Sequence, residues 1–232
     1  MQIPAQDELD RLCGPGNWQI IGVSALVYDA SHVYLEITKP SYWQTASDGR
    51  IIVPLGGIGG RLDPGEELLD CLAREAAEEL GVSLSVVGTA GTRLIYGGAL
   101  LPGLHSDADG DKPFPLFYTI GRNYRVEPAQ RVGWMVIVTY LAKVLEAPMP
   151  HDLFGLLAVP RGRLDRALPR RPLTLDALCT RAGAEPILKG EAPAGALVQP
   201  ILTAESIRLL LEEDWPLPWP RLRHPGTVRC GR

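Results

Sequence analysis

The feature that most constrains this chain is a loop followed by an amphipathic helix between Gly60 and Val82. Asp63-Pro64-Gly65 is a strong turn signal, and Gly81 is the type of residue that often ends a helix in the left-handed conformation. The spacing predicts a helix that begins near Glu66 and ends at Gly81. Its apolar face, able to pack on a sheet, contains Leu68, Leu69, Leu72, Ala73, Ala76 and Leu80.

Three glutamates crowd together on this helix, at Glu75, Glu78 and Glu79. Residues three and four apart are helix neighbours, and like charges there cost about 0.2–0.5 kcal/mol per pair. Taken alone, the three fit a solvated acidic face, but their patch starts at the edge of the apolar face. A hard divalent cation would reverse the repulsion, because Mg²⁺ prefers carboxylate, water and phosphate oxygens. Arg74, one turn from both Asp70 and Glu78, can hold carboxylates through bidentate contacts.

The loop before the helix has the features of a close backbone turn. Gly60 and Gly65 are free to adopt positive φ, and the loop can offer a backbone carbonyl to a metal. Glu66 lies at the start of the helix, where the helix dipole favours negative charge.

The spacing Gly60, five residues, Glu66, seven residues, Arg74-Glu75-Ala76-Ala77-Glu78-Glu79-Leu80-Gly81-Val82 resembles the Nudix box, G-x5-E-x7-R-E-U-x-E-E-x-G-U, where U is a bulky aliphatic residue. Every fixed residue of the pattern is matched. The one departure is Ala76, a small residue at a U position. So many fixed identities at set spacings make a chance match improbable.

The resemblance implies site residues and a cofactor. Glu75, Glu78 and Glu79 would bind Mg²⁺ or Mn²⁺ together with the Gly60 carbonyl. Arg74 would orient the glutamates, and Glu66, with Gly65, would support the loop. One of the three helix glutamates, Glu75 and Glu78 foremost, or a further acid outside the box, would take the proton from the attacking water.

The resemblance also implies a reaction and a fold. The reaction is hydrolysis of a nucleoside diphosphate linked to another moiety, so the expected partner is a nucleotide-derived small molecule. The fold is an α/β Nudix fold, in which a mixed β-sheet is sandwiched between α-helices.

The order of elements agrees with this fold class, because strands, one helix, more strands and then helices indicate mixed α/β layers. The β-rich segments are Gln19–Asp29, the alternating "HVYLEITK", Ile51–Gly57, "TRLIYGGALL", "PFPLFYTIG" and Val132–Val144. Pro54 weakens the third, because proline is confined to strand edges and bulges. After Arg170 the texture changes, with helices predicted to begin at Thr174 and Thr203 as N-caps. We therefore predict a Nudix domain over 1–170 and a helical and irregular extension over 171–232 that packs on it.

Composition excludes several classes. The net charge of −4 argues against a nucleic-acid partner, since such proteins usually carry a basic face. The sequence contains no run of 18 apolar residues, so it predicts no membrane span. The N-terminus does not resemble a secretory signal. Four scattered cysteines without a C-x-x-C pair indicate reduced thiols and a cytoplasmic location. A homodimer through the extension is left open.

Signals outside the box are weaker. Tyr96 and Pro102 fall near a position where some Nudix subtypes carry a marker residue, but neither fits well, and a strand tyrosine and a loop proline are expected. Asp107–Asp111 lacks the glycine and glutamate of a calcium loop. Two further features are the arginine-rich stretch Arg161–Arg171 and the pair Tyr42 and Trp43. Each is compatible with a ligand contact and with an ordinary structural role.

Two other functions compete with hydrolysis. The first is a Nudix-fold sensor or regulator that binds a nucleotide without turnover. The intact Glu75, Glu78 and Glu79 argue against it, because a pure binder does not need a full metal cluster. The second, ranked lower, is an isomerase on the same fold.

Overall fold

A computed structural model describes residues 5–89, 91–105, 113–122, 132–215 and 217 of the 232-residue chain. The five α-helices of these ranges are α1 (Gln6–Cys13), α2 (Leu68–Leu80), α3 (Leu164–Ala167), α4 (Leu175–Ala182) and α5 (Leu202–Glu212). The strands are β1 (Trp18–Tyr28), β2 (His32–Ile37), β3 (Gln44–Thr45), β4 (Ile51–Gly56), β5 (Ser85–Val87), β6 (Gly91–Tyr96), β7 (Ala99–His105), β8 (Phe117–Arg122), β9 (Trp134–Lys143), β10 (Gly155–Pro160), β11 (Leu173–Thr174), β12 (Glu185–Leu188) and β13 (Leu197–Pro200).

All of these strands belong to one mixed sheet. Its main path runs β11-β13-β4-β2-β1-β9-β8-β6-β7, with β10 joined to β2 and β12. The central pair β1 and β9 is parallel, whereas β1 and β2 are antiparallel. The predicted mixed sheet is confirmed.

The sheet has a hydrophobic core on each face. Side chains of β1 alternate between the two, since Leu26 and Tyr28 enter one core and Ala25 and Val27 the other. Helices α3, α4 and α5 pack in the first core and helices α1 and α2 in the second. The predicted sandwich of a sheet between helices is therefore present.

Strand β2 differs from its prediction in burial. The alternating pattern predicts a half-buried strand with Tyr34, Glu36 and Thr38 on the open side. Tyr34 and Thr38 are both buried, because β2 lies inside the sheet and helices cover both faces. Glu36 is the partly exposed member of this set, and it points into the cleft described below.

Pro54 is accommodated within β4 because the ladder between β2 and β4 is short. The registered partners are Glu36 with Gly56 and Ile37 with Leu55, so Pro54 lies one residue before this ladder begins along β4. Its carbonyl accepts hydrogen bonds from the Thr38 amide and hydroxyl, each at 3.2 Å.

The segment after residue 170 is more regular than predicted. It contributes β11, β12 and β13 to the sheet, and β13 pairs in parallel with β4. The pattern of prolines and glycines in this segment hid these short strands. The domain boundary near residue 170 stays a prediction.

The two predicted N-caps of this segment had different outcomes. Thr174 caps α4 and accepts the Ala177 amide at 3.2 Å, as predicted. Thr203 does not cap α5, because it lies inside the helix and donates to the buried Ser24 hydroxyl at 2.9 Å. Its hydroxyl instead ties α5 to β1.

Several predictions fall at or beyond the limits of the description. Asp107–Asp111 lies outside the described residues, as do residues 218–232. Pro102, expected in a loop, lies in β7. Among the described helices, none has the length and apolar character needed to cross a membrane.

Candidate active site

The loop before α2 runs along the edge of β1. The Val23 amide donates to the Gly60 carbonyl at 3.0 Å, and Ala25 and Ile58 exchange backbone hydrogen bonds. A Cβ on Gly59, where φ is +142°, would lie 2.3 Å from the Val23 carbonyl. A glycine is therefore required at Gly59, because both the backbone conformation and the space exclude a side chain.

The predicted turn and helix end are both present. Gly65 has φ +83°, and the Glu66 amide donates to the Asp63 carbonyl at 3.0 Å. Proline followed by a positive-φ glycine is the sequence expected for a type II turn. Helix α2 starts two residues later than predicted, at Leu68, and Gly81 ends it with φ +67°.

The buried face of α2 is rotated relative to its prediction. Leu68, Cys71, Leu72, Ala76 and Leu80 are buried, whereas Leu69 is half-buried and Ala73 is exposed. Since Cys71 lies on the opposite side of Leu68 from Ala73, the centre of the buried face shifts towards the glutamates. Glu75 and Glu79 are consequently drawn to the side of the helix that faces the sheet.

Arg74 organises the carboxylates. Its Nε and Nη2 donate to the two carboxylate oxygens of Glu66 at 2.9 and 3.1 Å, and its Nη1 donates to Glu75 at 2.8 Å. Nη1 also reaches Glu78 at 3.4 Å, and Nη2 reaches the Arg61 carbonyl at 3.1 Å. The bidentate contact is therefore made with Glu66 and not with Asp70 or Glu78, the carboxylates one turn away that the sequence indicated.

Glu66 connects the turn to the helix. Its carboxylate accepts the Asp63 amide at 3.0 Å as well as the guanidinium of Arg74. The hydrogen bond from Arg74 and that from the Asp63 amide lower the pKa of Glu66 to about 2. Glu66 is thus an ionised group that joins the turn to Arg74 of the helix.

Glu75 and Glu79 occupy the inner part of the site. Only 14% of the Glu75 side chain is exposed, and its carboxylate lies directly against Gly60, where an added Cβ would be 2.1 Å from Oε1. Glu79 accepts the Gly59 amide at 3.0 Å. Glu78 is more open, with 55% of its side chain exposed.

Glu36 is the site residue that the motif did not reveal. It comes from β2 and lines a cleft of about 240 Å³ together with Gly60, Arg61 and Thr203. The signal in the sequence was a single acid within an otherwise apolar strand. Only the pairing of strands places it opposite the glutamates of α2.

Burial and neighbouring acids raise the pKa values of Glu36, in the cleft, and of Glu79, beside it. Burial, reinforced by the nearby carboxylates of Glu36 and Glu75, raises the pKa of Glu79 to about 9. Burial and the charge of Glu75 raise the pKa of Glu36 to about 7, against the influence of Lys39. The folded protein therefore holds carboxyl groups together at an electrostatic cost that a cation would remove.

The donor set fits a divalent cation of the magnesium type. Among the described residues, no three acidic, histidine or cysteine side chains converge closely enough to form a complete metal site. Mg²⁺, however, usually takes one or two carboxylates and fills its other positions with water and phosphate oxygens. Glu75 and Glu79 can supply the carboxylates, and the exposed Glu78 can rotate towards them. The Gly60 carbonyl already accepts the Val23 amide, so its second lone pair would be the one offered.

Residues 19–132 of the chain, just under half of it, match the family model of the NUDIX domain. These residues form a NUDIX domain. The matched range contains all of the predicted site residues. The protein is accordingly a pyrophosphate-cleaving hydrolase in general terms, as the box predicted. A search of curated proteins finds no match.

Solved structures similar to this chain include three from microorganisms. A NUDIX-family hydrolase from Clostridium perfringens is 13% identical, with a TM-score of 0.38, and the match covers 64% of this chain and 83% of that one. A MutT protein from Methanosarcina mazei Go1 is 15% identical, with a TM-score of 0.31 and coverage of 61% and 76%. A MutT protein from Bacillus halodurans is 17% identical, with a TM-score of 0.28 and coverage of 54% and 57%.

The other candidate ligand contacts divide. Trp43 packs edge-on against Phe154, with 5.0 Å between ring centroids, and its Nε1 donates to the Thr38 carbonyl at 2.8 Å. These contacts give Trp43 a structural role, the second of the two roles that the sequence left open. Tyr42 is 64% exposed. In the arginine-rich stretch, Arg161 donates to the Ala30 carbonyl, and the exposed arginines are Arg163, Arg166, Arg170 and Arg171.

Without divalent metal, the contribution of Glu79 to stability is expected to fall as the pH rises. Its pKa is about 9 in the folded protein against an ordinary 4.5. Between these values the unfolded chain has lost a proton that the folded protein keeps, so folding becomes progressively less favourable. The contribution of Glu79 to stability is fully present below its ordinary pKa of 4.5 and is lost as the pH rises through its folded-state pKa of about 9.

Thermal melts in the presence of a chelator, across this pH window, measure the effect. The difference in melting temperature between wild type and Glu79→Gln isolates it, because the other titrating groups are shared. The variant should gain stability relative to wild type as the pH rises. A difference that is constant over the window contradicts the raised pKa.

Proposed function

We propose that this protein hydrolyses the pyrophosphate bond of a nucleoside diphosphate linked to another moiety, with Mg²⁺ or Mn²⁺ held by Glu75, Glu78, Glu79 and the Gly60 carbonyl. The observation that supports this best is the position of Glu79. A partly buried carboxylate beside two other acids is unfavourable in the protein alone. It becomes favourable when a cation and a phosphate share the cleft.

The chain's own residues would divide the work. Arg74 fixes Glu66, Glu75 and Glu78 relative to one another, so the donor set is organised before ligand arrives. The Gly59 amide holds Glu79. A divalent cation bound there would neutralise phosphate charge and lower the pKa of a bound water.

A proton acceptor is available within the cleft. The sequence left this role to the helix glutamates, chiefly Glu75 and Glu78, or to an acid outside the box, and Glu36 is such an acid. Its pKa of about 7 suits a general base at neutral pH, which typically contributes about 10²–10⁴-fold to the rate. We assign Glu36 to this role in the proposal, with the helix glutamates as metal ligands.

Turnover of a substrate panel tests the proposal. The full chain is incubated with Mg²⁺ and nucleotide sugars, ADP-ribose, dinucleotides, deoxynucleoside triphosphates and dinucleoside polyphosphates, and the phosphate products are separated. Hydrolysis of at least one nucleoside diphosphate derivative, lost on chelation and restored by Mg²⁺ or Mn²⁺, is expected. Tight binding without any turnover would support the sensor instead.

Arg74→Lys tests the organising role. Lysine keeps the charge but cannot bridge Glu66 and Glu75 with one planar group. Because residues that orient metal ligands typically matter by 10–100-fold, we expect a loss of about that size in kcat/KM. Raising the Mg²⁺ concentration should restore part of the activity. Unchanged kinetics in Arg74→Lys would contradict the role.

The remaining features of the proposal concern partners and location. The partner is a nucleotide-derived small molecule, and the acidic balance of the chain gives no support to a nucleic-acid partner. A cytoplasmic location and a homodimer stay predictions from the sequence.

A further inference from the structure

Leu202 combines two features that a structural leucine avoids. It is the first residue of α5 and has φ +43°, in the left-handed region that bulky residues rarely adopt. Its side chain does not compensate by packing, since the residue is 53% exposed. Strained backbone of this kind concentrates at functional sites.

The surrounding hydrogen bonds hold Leu202 in this conformation. The preceding Ile201 amide donates to the Leu55 carbonyl at 2.9 Å. The following Thr203 is buried and its hydroxyl donates to Ser24. Both neighbours are fixed to the sheet, so the chain must turn sharply at Leu202 and present its side chain outward.

Leu202 lies where two cavities meet. One is the cleft of about 240 Å³ described above, which we call the acidic cleft and which Leu202 lines together with Glu36 and Gly60. The other, of about 540 Å³, we call the aromatic pocket, and it is lined in part by Tyr96, Thr119, Trp134, Glu205 and Leu209. The cavities are adjacent across the sheet, because Thr119 of the aromatic pocket is the registered partner of Ile137 of the cleft.

The aromatic pocket has the chemistry of a site for a flat heteroaromatic ring. Tyr96 and Trp134 are half-buried, with ring centroids 4.7 Å apart. Opposite them, Leu202, Glu205 and Leu209 share one face of α5, since they are three and four residues apart. Apolar walls with a few polar groups are typical of small-molecule sites, and the Glu205 carboxylate offers an acceptor to ring N–H or amino groups.

We propose that the aromatic pocket binds the nucleobase of the substrate and that Leu202 is a specificity-determining residue, which packs on the nucleoside where it leaves the acidic cleft. This inference rests on the proposed function for the position of the diphosphate. In this arrangement the diphosphate of the substrate lies in the acidic cleft and its sugar passes Leu202. The base then contacts Tyr96 and Trp134. The aromatic pocket is lined by one acid, Glu205, and one base, Arg122, so the carboxylates that would hold a cation and its diphosphate lie at the other cavity.

Leu202→Gly is the decisive variant, because it removes the side chain and also relieves the positive φ. The fold should therefore be retained, with a melting temperature no lower than that of wild type. Calorimetric titrations with ADP, GDP and inorganic pyrophosphate, each with Mg²⁺, compare the two cavities. At least one of the nucleoside diphosphates should bind wild type about tenfold or more tighter than pyrophosphate, the scale of one base contact with aromatic walls.

In Leu202→Gly, the affinity for that nucleoside diphosphate should fall about tenfold while the affinity for pyrophosphate stays within about twofold. Trp134→Ala, from the opposite wall, should give the same pattern. Equal affinity of wild type for pyrophosphate and both nucleoside diphosphates, no binding of either nucleoside diphosphate, or unchanged binding in both variants would overturn the proposal.

The outcomes separate this inference from the proposed function. Preferential binding of a nucleoside diphosphate without turnover of any panel substrate would support the pocket and refute the hydrolytic function. Turnover of a panel substrate without preferential binding of a nucleoside diphosphate over pyrophosphate would support the hydrolytic function and refute the pocket.

Discussion

Glu79→Gln is expected to abolish most turnover and leave the protein folded. The glutamine side chain can still accept the Gly59 amide, so the contact at 3.0 Å is preserved. It cannot supply negative charge to a cation, and the loss should reach about 10²-fold or more in kcat, since losing a residue that merely supports metal ligands already costs about 10–100-fold. In the absence of metal the variant should melt no lower than wild type at neutral pH, because it removes a carboxyl group whose pKa is raised to about 9.

The matched control is Asp70→Asn. Asp70 is an exposed acid on the same helix, so the substitution makes the same change in charge at the same element without touching the cleft. It should retain wild-type turnover. Equal activity in Glu79→Gln and wild type would remove Glu79 from the proposed metal site.

Gly60→Ala is expected to lower kcat/KM by about 10²-fold or more, since it displaces a proposed metal ligand. The new Cβ would lie 2.1 Å from Oε1 of Glu75 and 2.3 Å from its carboxyl carbon. The atoms that must give way belong to the end of a flexible side chain, so the carboxylate can rotate out while the backbone stays. We therefore expect a small change in melting temperature beside a large loss of activity.

Gly162→Ala is the control for a glycine-to-alanine change, because a Cβ there meets nothing within 4 Å. Steady-state kinetics and thermal melts of both variants make the comparison. Full activity in Gly60→Ala would show that the Glu75 carboxylate is not needed in its observed position. A large fall in melting temperature would show instead that the loop itself had shifted.

The contrast between Glu79 and Glu36 shows which site residues the motif predicted and which it missed. Arg74, Glu75, Glu78 and Glu79 lie on one helix, and local helix geometry brings them together. The turn at Gly65 and the helix end at Gly81 follow from backbone preferences that sequence expresses directly. Glu36 lies far from them along the chain, and its approach depends on the register between β2 and β4.

The largest errors have three separate physical causes. The pattern of α2 predicted its apolar face but missed the rotation that brings Cys71 inward, because periodicity locates a stripe only to within about one residue's turn. The strands β11 to β13 were missed because short buried segments interrupted by proline and glycine carry little periodic signal. The misplaced cap at Thr203 arose because its hydroxyl found a long-range partner, Ser24.

The sequence alone determined the Nudix box, the turn and helix that carry it, the mixed α/β class and the set of acids on α2. Only the tertiary structure decided that Glu36 joins these acids, that Glu79 is partly buried beside it, and that Leu202 is held strained between two cavities. The reason is the range of the interactions involved. Turns and helices are specified by neighbours along the chain, whereas strand register and burial are specified by residues that meet only after the sheet has formed.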